Sequence, residues 1–166
     1  MKLLHRIGQR INSNFNSIEE VLACDDILTF DGVYLEVYEY RHLLKGKRII
    51  LFPSGQYFGC DNSFDVGQPP GRFCTLSQVF ELKRLLNAEV GWHGQSHVSL
   101  PTLSEEEIRI ELTPPWSPKG TLLAYPYGNF DERVIRIAKE LGYRDAYSVI
   151  QGDGSEFQRK REYLNW

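Results

Sequence analysis

Short β-rich runs alternate with helical patterns along most of this chain, and that alternation constrains the fold more than any other feature. Ile27-Leu28-Thr29-Phe30 is a strand-sized apolar run, followed by a helical pattern from Tyr34 to Leu44 that stops at Gly46. Arg48 to Phe52 forms a second strand, and the Gly/Pro/Asp segment after it, reaching to about Arg72, is longer than a connector needs to be. A helix from Thr75 to Leu86 carries Val79, Leu82, Leu85 and Leu86 on one face, and Val90-Gly91-Trp92 makes a third strand. Ser104-x-x-Glu107 is a capping box that opens the next helix, which ends before Pro114-Pro115. Thr121 to Tyr125 is a fourth strand, Asp131 to Leu141 a helix closed by Gly142, and Ala146 to Ile150 a fifth strand. This order predicts parallel strands, in an open sheet or closed into a barrel, with helices outside.

At 166 residues the chain reads as one domain, 1–166, with a partly helical extension over residues 1–23. A hydrophobic content of 42% fits a packed globular protein. The net charge of -3 gives no electrostatic reason to expect a nucleic acid or an anionic membrane as partner. Three cysteines, Cys24, Cys60 and Cys74, without C-x-x-C spacing, argue against a disulfide framework or a thiolate zinc site. The first residues lack the apolar core of a signal peptide and no run reaches the length of a membrane span, so a cytoplasmic protein is the expectation.

Ligands of parallel α/β folds bind where the strands end at their carboxyl side. Those positions here hold Asp31, Ser54 to Asp65, His93 and His97, Pro126-Tyr127-Gly128, and Gln151 to Asp153. A carboxylate, two imidazoles and a tight Pro-Tyr-Gly turn on one rim are the parts needed to hold a divalent metal and activate water. Taken singly, Asp31 reads as a turn residue and Tyr127 as ordinary packing.

The chain resembles the polysaccharide deacetylases of the NodB-homology type, carbohydrate esterase family 4, from about Asp26 to Ile150. Thr29-Phe30-Asp31-Gly32-Val33 is similar to the family's first motif, T-F-D-D-G; His93-Gly94-Gln95-Ser96-His97 to the second, H-[ST]-x-x-H; and Tyr125-Pro126-Tyr127-Gly128 to the third, R-x-P-Y, in a Y-P-Y-G variant. The resemblance implies a distorted or incomplete (β/α) barrel, TIM-like, with parallel strands and outer helices. It also implies a divalent metal, usually zinc, and a metal-dependent hydrolase that removes N-acetyl groups from a carbohydrate. Carried over by position, Asp31 is the base, His93 and His97 are metal ligands, and Tyr127 supplies a backbone oxyanion donor. Trp92, Tyr125, Pro126 and Tyr127 are then the expected substrate contacts.

The departures from the family pattern fall on the chemistry. The family's second Asp, a metal ligand, aligns with Gly32, and the Arg that orients the base aligns with Ala124. No histidine follows Ile150 to serve as the late general acid. Two imidazoles are one protein ligand short of the usual catalytic zinc set. Either Asp31 is itself a ligand, or Asp61, Asp65 or Asp153 supplies the carboxylate, or no metal binds. The alternative to a hydrolase is therefore a catalytically degenerate member acting as a carbohydrate-binding or scaffold protein.

Overall fold

The computed structural model describes residues 1–8, 15–63, 67–149 and 151–164. Among them the strands are β1 (Lys2–Leu4), β2 (Arg6–Ile7), β3 (Phe15–Asn16), β4 (Leu28–Asp31), β5 (Ile49–Phe52), β6 (Glu89–Val90), β7 (Leu122–Ala124), β8 (Asp145–Ser148), β9 (Arg159–Lys160) and β10 (Glu162–Tyr163). The helices are α1 (Ile18–Ala23), α2 (Leu35–Glu39), α3 (Leu76–Leu86), α4 (Glu105–Glu111) and α5 (Glu132–Glu140). Every described strand pair is parallel, as the β-α alternation requires. The described strands form separate sheets and not one continuous barrel, so the fold is an incomplete α/β barrel with outer helices.

The chain divides into two compact units. The first comprises Met1–Pro53, Tyr57–Val90 and Glu162–Trp166 and contains a five-stranded sheet in the order β10-β1-β4-β5-β6. All residues of β4 and β5 are buried, and their near-continuous apolar runs suit parallel strands covered on both faces. Leu28, Phe30 and Leu51 join Val37, Val79 and Leu82 in one core. α3 is fixed at both ends by local chemistry. Thr75 and Gln78 form a capping box, and Asn87 stops the helix in the left-handed conformation at φ 51°.

The second unit comprises Ser54–Gln56 and Gly91–Arg161, with a three-stranded sheet in the order β7-β8-β9. α4 starts on the expected Ser104–Glu107 capping box, and α5 on Asp131, whose carboxylate accepts from Val134 N at 2.9 Å. Val134, Ile137 and Ala138 form the buried face of α5.

Three features differ from the sequence expectation. The N-terminal segment contains one short helix, α1, but begins as strand β1, paired with both β4 and β10. The Val90-Gly91-Trp92 run is split: β6 ends at Val90 in the first unit, whereas Trp92 bridges to Leu123 in the second. α2 stops at Glu39 and continues to Gly46 as tighter turns, with Leu43 N donating to Tyr40 O at 2.9 Å. Ile150 of the expected fifth strand lies outside the described residues.

Candidate functional site

Asp31 closes β4 in the first unit, 4% exposed and in register with Phe52. Gly32 extends the pairing by donating its N–H to Phe52 O at 2.9 Å, and the chain then turns sharply. The turn uses φ +79° at Gly32 and +53° at Val33, the latter a conformation that a β-branched residue adopts rarely. A Cβ on Gly32 would stand 2.9 Å from Phe73 Cε1, and the Phe73 ring is itself packed against Tyr34 at 4.2 Å and Tyr57 at 5.5 Å between centroids. The position that carries an Asp in the family pattern is therefore filled here by an aromatic ring. A side chain at position 32 would require the Phe73 ring to shift.

His93 and His97 belong to the second unit. Trp92 donates to Leu122 O and accepts from Ala124 N, each at 2.9 Å, which holds the following residue beside the end of β7. His93 is 3% exposed, and its Nδ1 lies 2.8 Å from Ala124 O. A carbonyl only accepts, so Nδ1 carries the proton and donates it, an orientation also used by metal-binding imidazoles. Residues 54–56 flank this segment: Ser54 Oγ donates to His93 O at 3.1 Å, Gly55 N to Gly94 O at 3.1 Å and Gln56 N to Gln95 O at 2.8 Å. The His97 ring sits 4.8 Å from the His93 ring and 4.6 Å from the Tyr127 ring, so the second and third motifs meet in this unit.

The third motif separates buried from exposed residues. Trp92 and Tyr125, both expected to touch a sugar, are fully buried, and Pro126 is buried too. Trp92 Nε1 donates to Glu111 O at 2.8 Å and the Tyr125 hydroxyl to Phe157 O at 3.0 Å, so their polar atoms serve the interior. Burial also raises the Tyr125 hydroxyl pKa. Packing takes up both rings, as aromatic side chains bury large apolar area while their polar ends find a partner. Tyr127 is the exposed member, 56% accessible, at φ +57°. Among the described residues five non-glycines have positive φ, and three of them, Val33, His97 and Tyr127, fall in or beside the three motifs. Backbone strain of this kind concentrates at functional sites.

Glu111 is a site residue that the motif reading missed. It is 7% exposed, and its carboxylate accepts from Ser96 N at 2.9 Å and from the Ser96 hydroxyl. The available signal was a carboxylate in the last turn of a helix, where the helix dipole disfavours negative charge.

The donor chemistry of the pair fits a divalent cation in part. His93 is oriented through its Nδ1 bond with His97 beside it, yet among the described residues no three His, Cys, Asp or Glu side chains are grouped to hold a metal ion. The alternative carboxylates serve their own turns. Exposed Asp61 accepts from Ser63 N at 3.0 Å and exposed Asp153 from Ser155 N at 2.9 Å. Bonds from the same serines, the hydroxyl's foremost, hold both carboxyls below their ordinary pKa. Asp65 lies outside the described residues. The cysteines are free thiols, with Cys74 buried and pushed up to about 12 by that burial, so its thiolate is not available. No described helix is long and apolar enough to cross a membrane.

Residues 77–146 match the polysaccharide deacetylase family. No curated protein is significantly similar to the chain in sequence. Among solved structures, the Streptococcus pyogenes deacetylase PplD, determined in complex with acetate, superposes with a TM-score of 0.69 at 17% identity, over 98% of this chain and 91% of that one. A polysaccharide deacetylase from Bacillus cereus gives 0.68 at 17% identity, over 98% of this chain and 63% of its own. IcaB from Ammonifex degensii gives 0.62 at 14%, over 96% and 87%. At these identities the structures establish the fold. The family match covers the segment holding His93 and His97, the fold is that of solved polysaccharide deacetylases, and both are consistent with a divergent member of the NodB-homology type.

Proposed function

We propose that this protein is a metal-dependent hydrolase that removes N-acetyl groups from a carbohydrate, acting in the cytoplasm on an intermediate of surface-polysaccharide synthesis. The observation that carries the proposal is His93, held through Nδ1 by Ala124 O as metal-binding imidazoles commonly are, and packed against His97, which in turn meets Tyr127. The part assigned to Asp31 rests on the motif order in the sequence. His93, His97 and Asp31 would hold the divalent ion, zinc in the usual case, and that ion would supply the Lewis acidity that lowers the pKa of water and polarises the amide carbonyl.

The remaining roles belong to this chain's own groups. Asp31 has two carboxylate oxygens, so it can ligate with one and accept the proton of the attacking water with the other. The Tyr127 N–H donates to the oxygen on which negative charge develops, and the exposed Tyr127 ring offers a flat face to a sugar. As the C–N bond breaks, the proton held by Asp31 returns to the amine nitrogen and the water oxygen leaves in acetate. Water and the N-acetyl sugar thus become acetate and a free amino sugar.

A second reading, a carbohydrate-binding or scaffold protein without turnover, is favoured by one observation: the ring of Phe73 occupies the space that a Cβ at Gly32 would need. Metal analysis of protein purified without added metal distinguishes the two. Stoichiometric zinc that disappears in His93→Ala, with acetate release from chitooligosaccharides falling about a hundredfold or more in Asp31→Asn, is the result expected of the hydrolase. No bound metal and no micromolar affinity for zinc would overturn it in favour of the second reading.

A further inference from the structure

We propose that Glu111 is the positioning residue of the His93–His97 loop, setting the orientation of both imidazoles without touching substrate. The inference rests on reading that pair as the reactive centre. Glu111 is the last residue of α4, whose other acidic residues, Glu105 to Glu107, occupy the first turn where the helix dipole favours them. At the opposite end a carboxylate is disfavoured, and burial to 7% exposure adds a desolvation cost. Both costs are offset by what the residue accepts. Its carboxylate takes Ser96 N at 2.9 Å and the Ser96 hydroxyl, while its main-chain oxygen takes Trp92 Nε1 at 2.8 Å and Gln95 N at 3.1 Å.

These four bonds land on residues 92, 95 and 96, interleaved with the two histidines. The loop approaches the carboxylate so closely that a Cβ on Gly94, at φ +81°, would stand 3.2 Å from Glu111 Oε2. His97 follows directly after the anchored Ser96 and holds φ +52°, a conformation that needs external support. The side chain and the main chain of Glu111 thus do separable work. The main-chain bonds dock the end of α4 and survive any substitution, whereas the carboxylate bonds fix Ser96 and so the histidine after it.

The test compares Glu111→Ala, Glu111→Gln and Ser96→Ala in the full chain, using long-range 1H–15N spectra of the imidazoles and zinc titration. Glu111→Ala is expected to fold, to shift or broaden the His93 and His97 signals, and to weaken zinc binding about 10–100-fold, the usual cost of losing such support. Glutamine can accept from Ser96 N and donate to Ser96 Oγ, so Glu111→Gln should keep wild-type spectra and zinc affinity within about threefold. Ser96→Ala, which keeps the N–H bond, should fall between the two.

Imidazole spectra unchanged in Glu111→Ala and Ser96→Ala would overturn the inference. So would Glu111→Gln as damaging as Glu111→Ala, since charge and not bond geometry would then be at work. If Glu111→Ala does not fold, the spectra of the other two variants decide. If the wild-type protein binds no zinc, the hydrolase reading fails, while the imidazole spectra still establish or refute the positioning role of Glu111.

Discussion

Asp31 and the His93–His97 loop are held in place by different physics. Asp31 ends a strand whose four residues are all buried, between β1 and β5, and its position follows from packing and main-chain pairing. The imidazoles lie on a segment with almost no regular structure, held by bonds from Ser54, Ala124 and Glu111. A substitution in the first motif therefore disturbs packed neighbours, as one at Gly32 would disturb Phe73, whereas the second motif is held by separate hydrogen bonds.

Phe30→Ala should show the largest effect on this contrast. Phe30 is fully buried in β4, and its loss should lower unfolding free energy by about 3–5 kcal/mol in urea titrations followed by circular dichroism. A cost below about 1 kcal/mol would mean that packing does not hold the first motif. Gly32→Asp comes next. Restoring the family residue places a Cβ 2.9 Å from Phe73 at φ +79°, so the same titration should show a loss of about 2–4 kcal/mol, with no gain in zinc affinity. A stable variant with tighter zinc binding would show that the turn accepts a carboxylate after all. Ser54→Ala should have the smallest effect, about 1 kcal/mol, because it removes one hydrogen bond to His93 O and little volume. A loss as large as that of Phe30→Ala would erase the distinction between the two regions.

Much of the frame was legible in the chain because it is written in local chemistry. The Ser104–Glu107 capping box, the Asp131 cap and the apolar runs of β4 and β5 act within a few residues, and each element stands where those signals place it. β1 was not legible. Lys2–Leu4 has no periodicity long enough to read, and its strand state depends on partners at Leu28 and Glu162. Trp92 and Tyr125 could be placed at strand ends, but not their burial, because that depends on which carbonyl receives the indole N–H or the hydroxyl.

By itself the sequence determined the parallel α/β class, the order of the three motifs and the absence of the second Asp, since periodicity, spacing and residue identity are properties of the chain. The tertiary structure decided which carbonyl His93 Nδ1 meets, what a side chain at Gly32 would collide with, and which residue the Glu111 carboxylate accepts from. Each of these depends on atoms distant in sequence: Ala124 O for His93, Phe73 for Gly32 and Ser96 for Glu111. Hydrogen bonds and close packing act over a few ångströms, and only folding brings such groups that near.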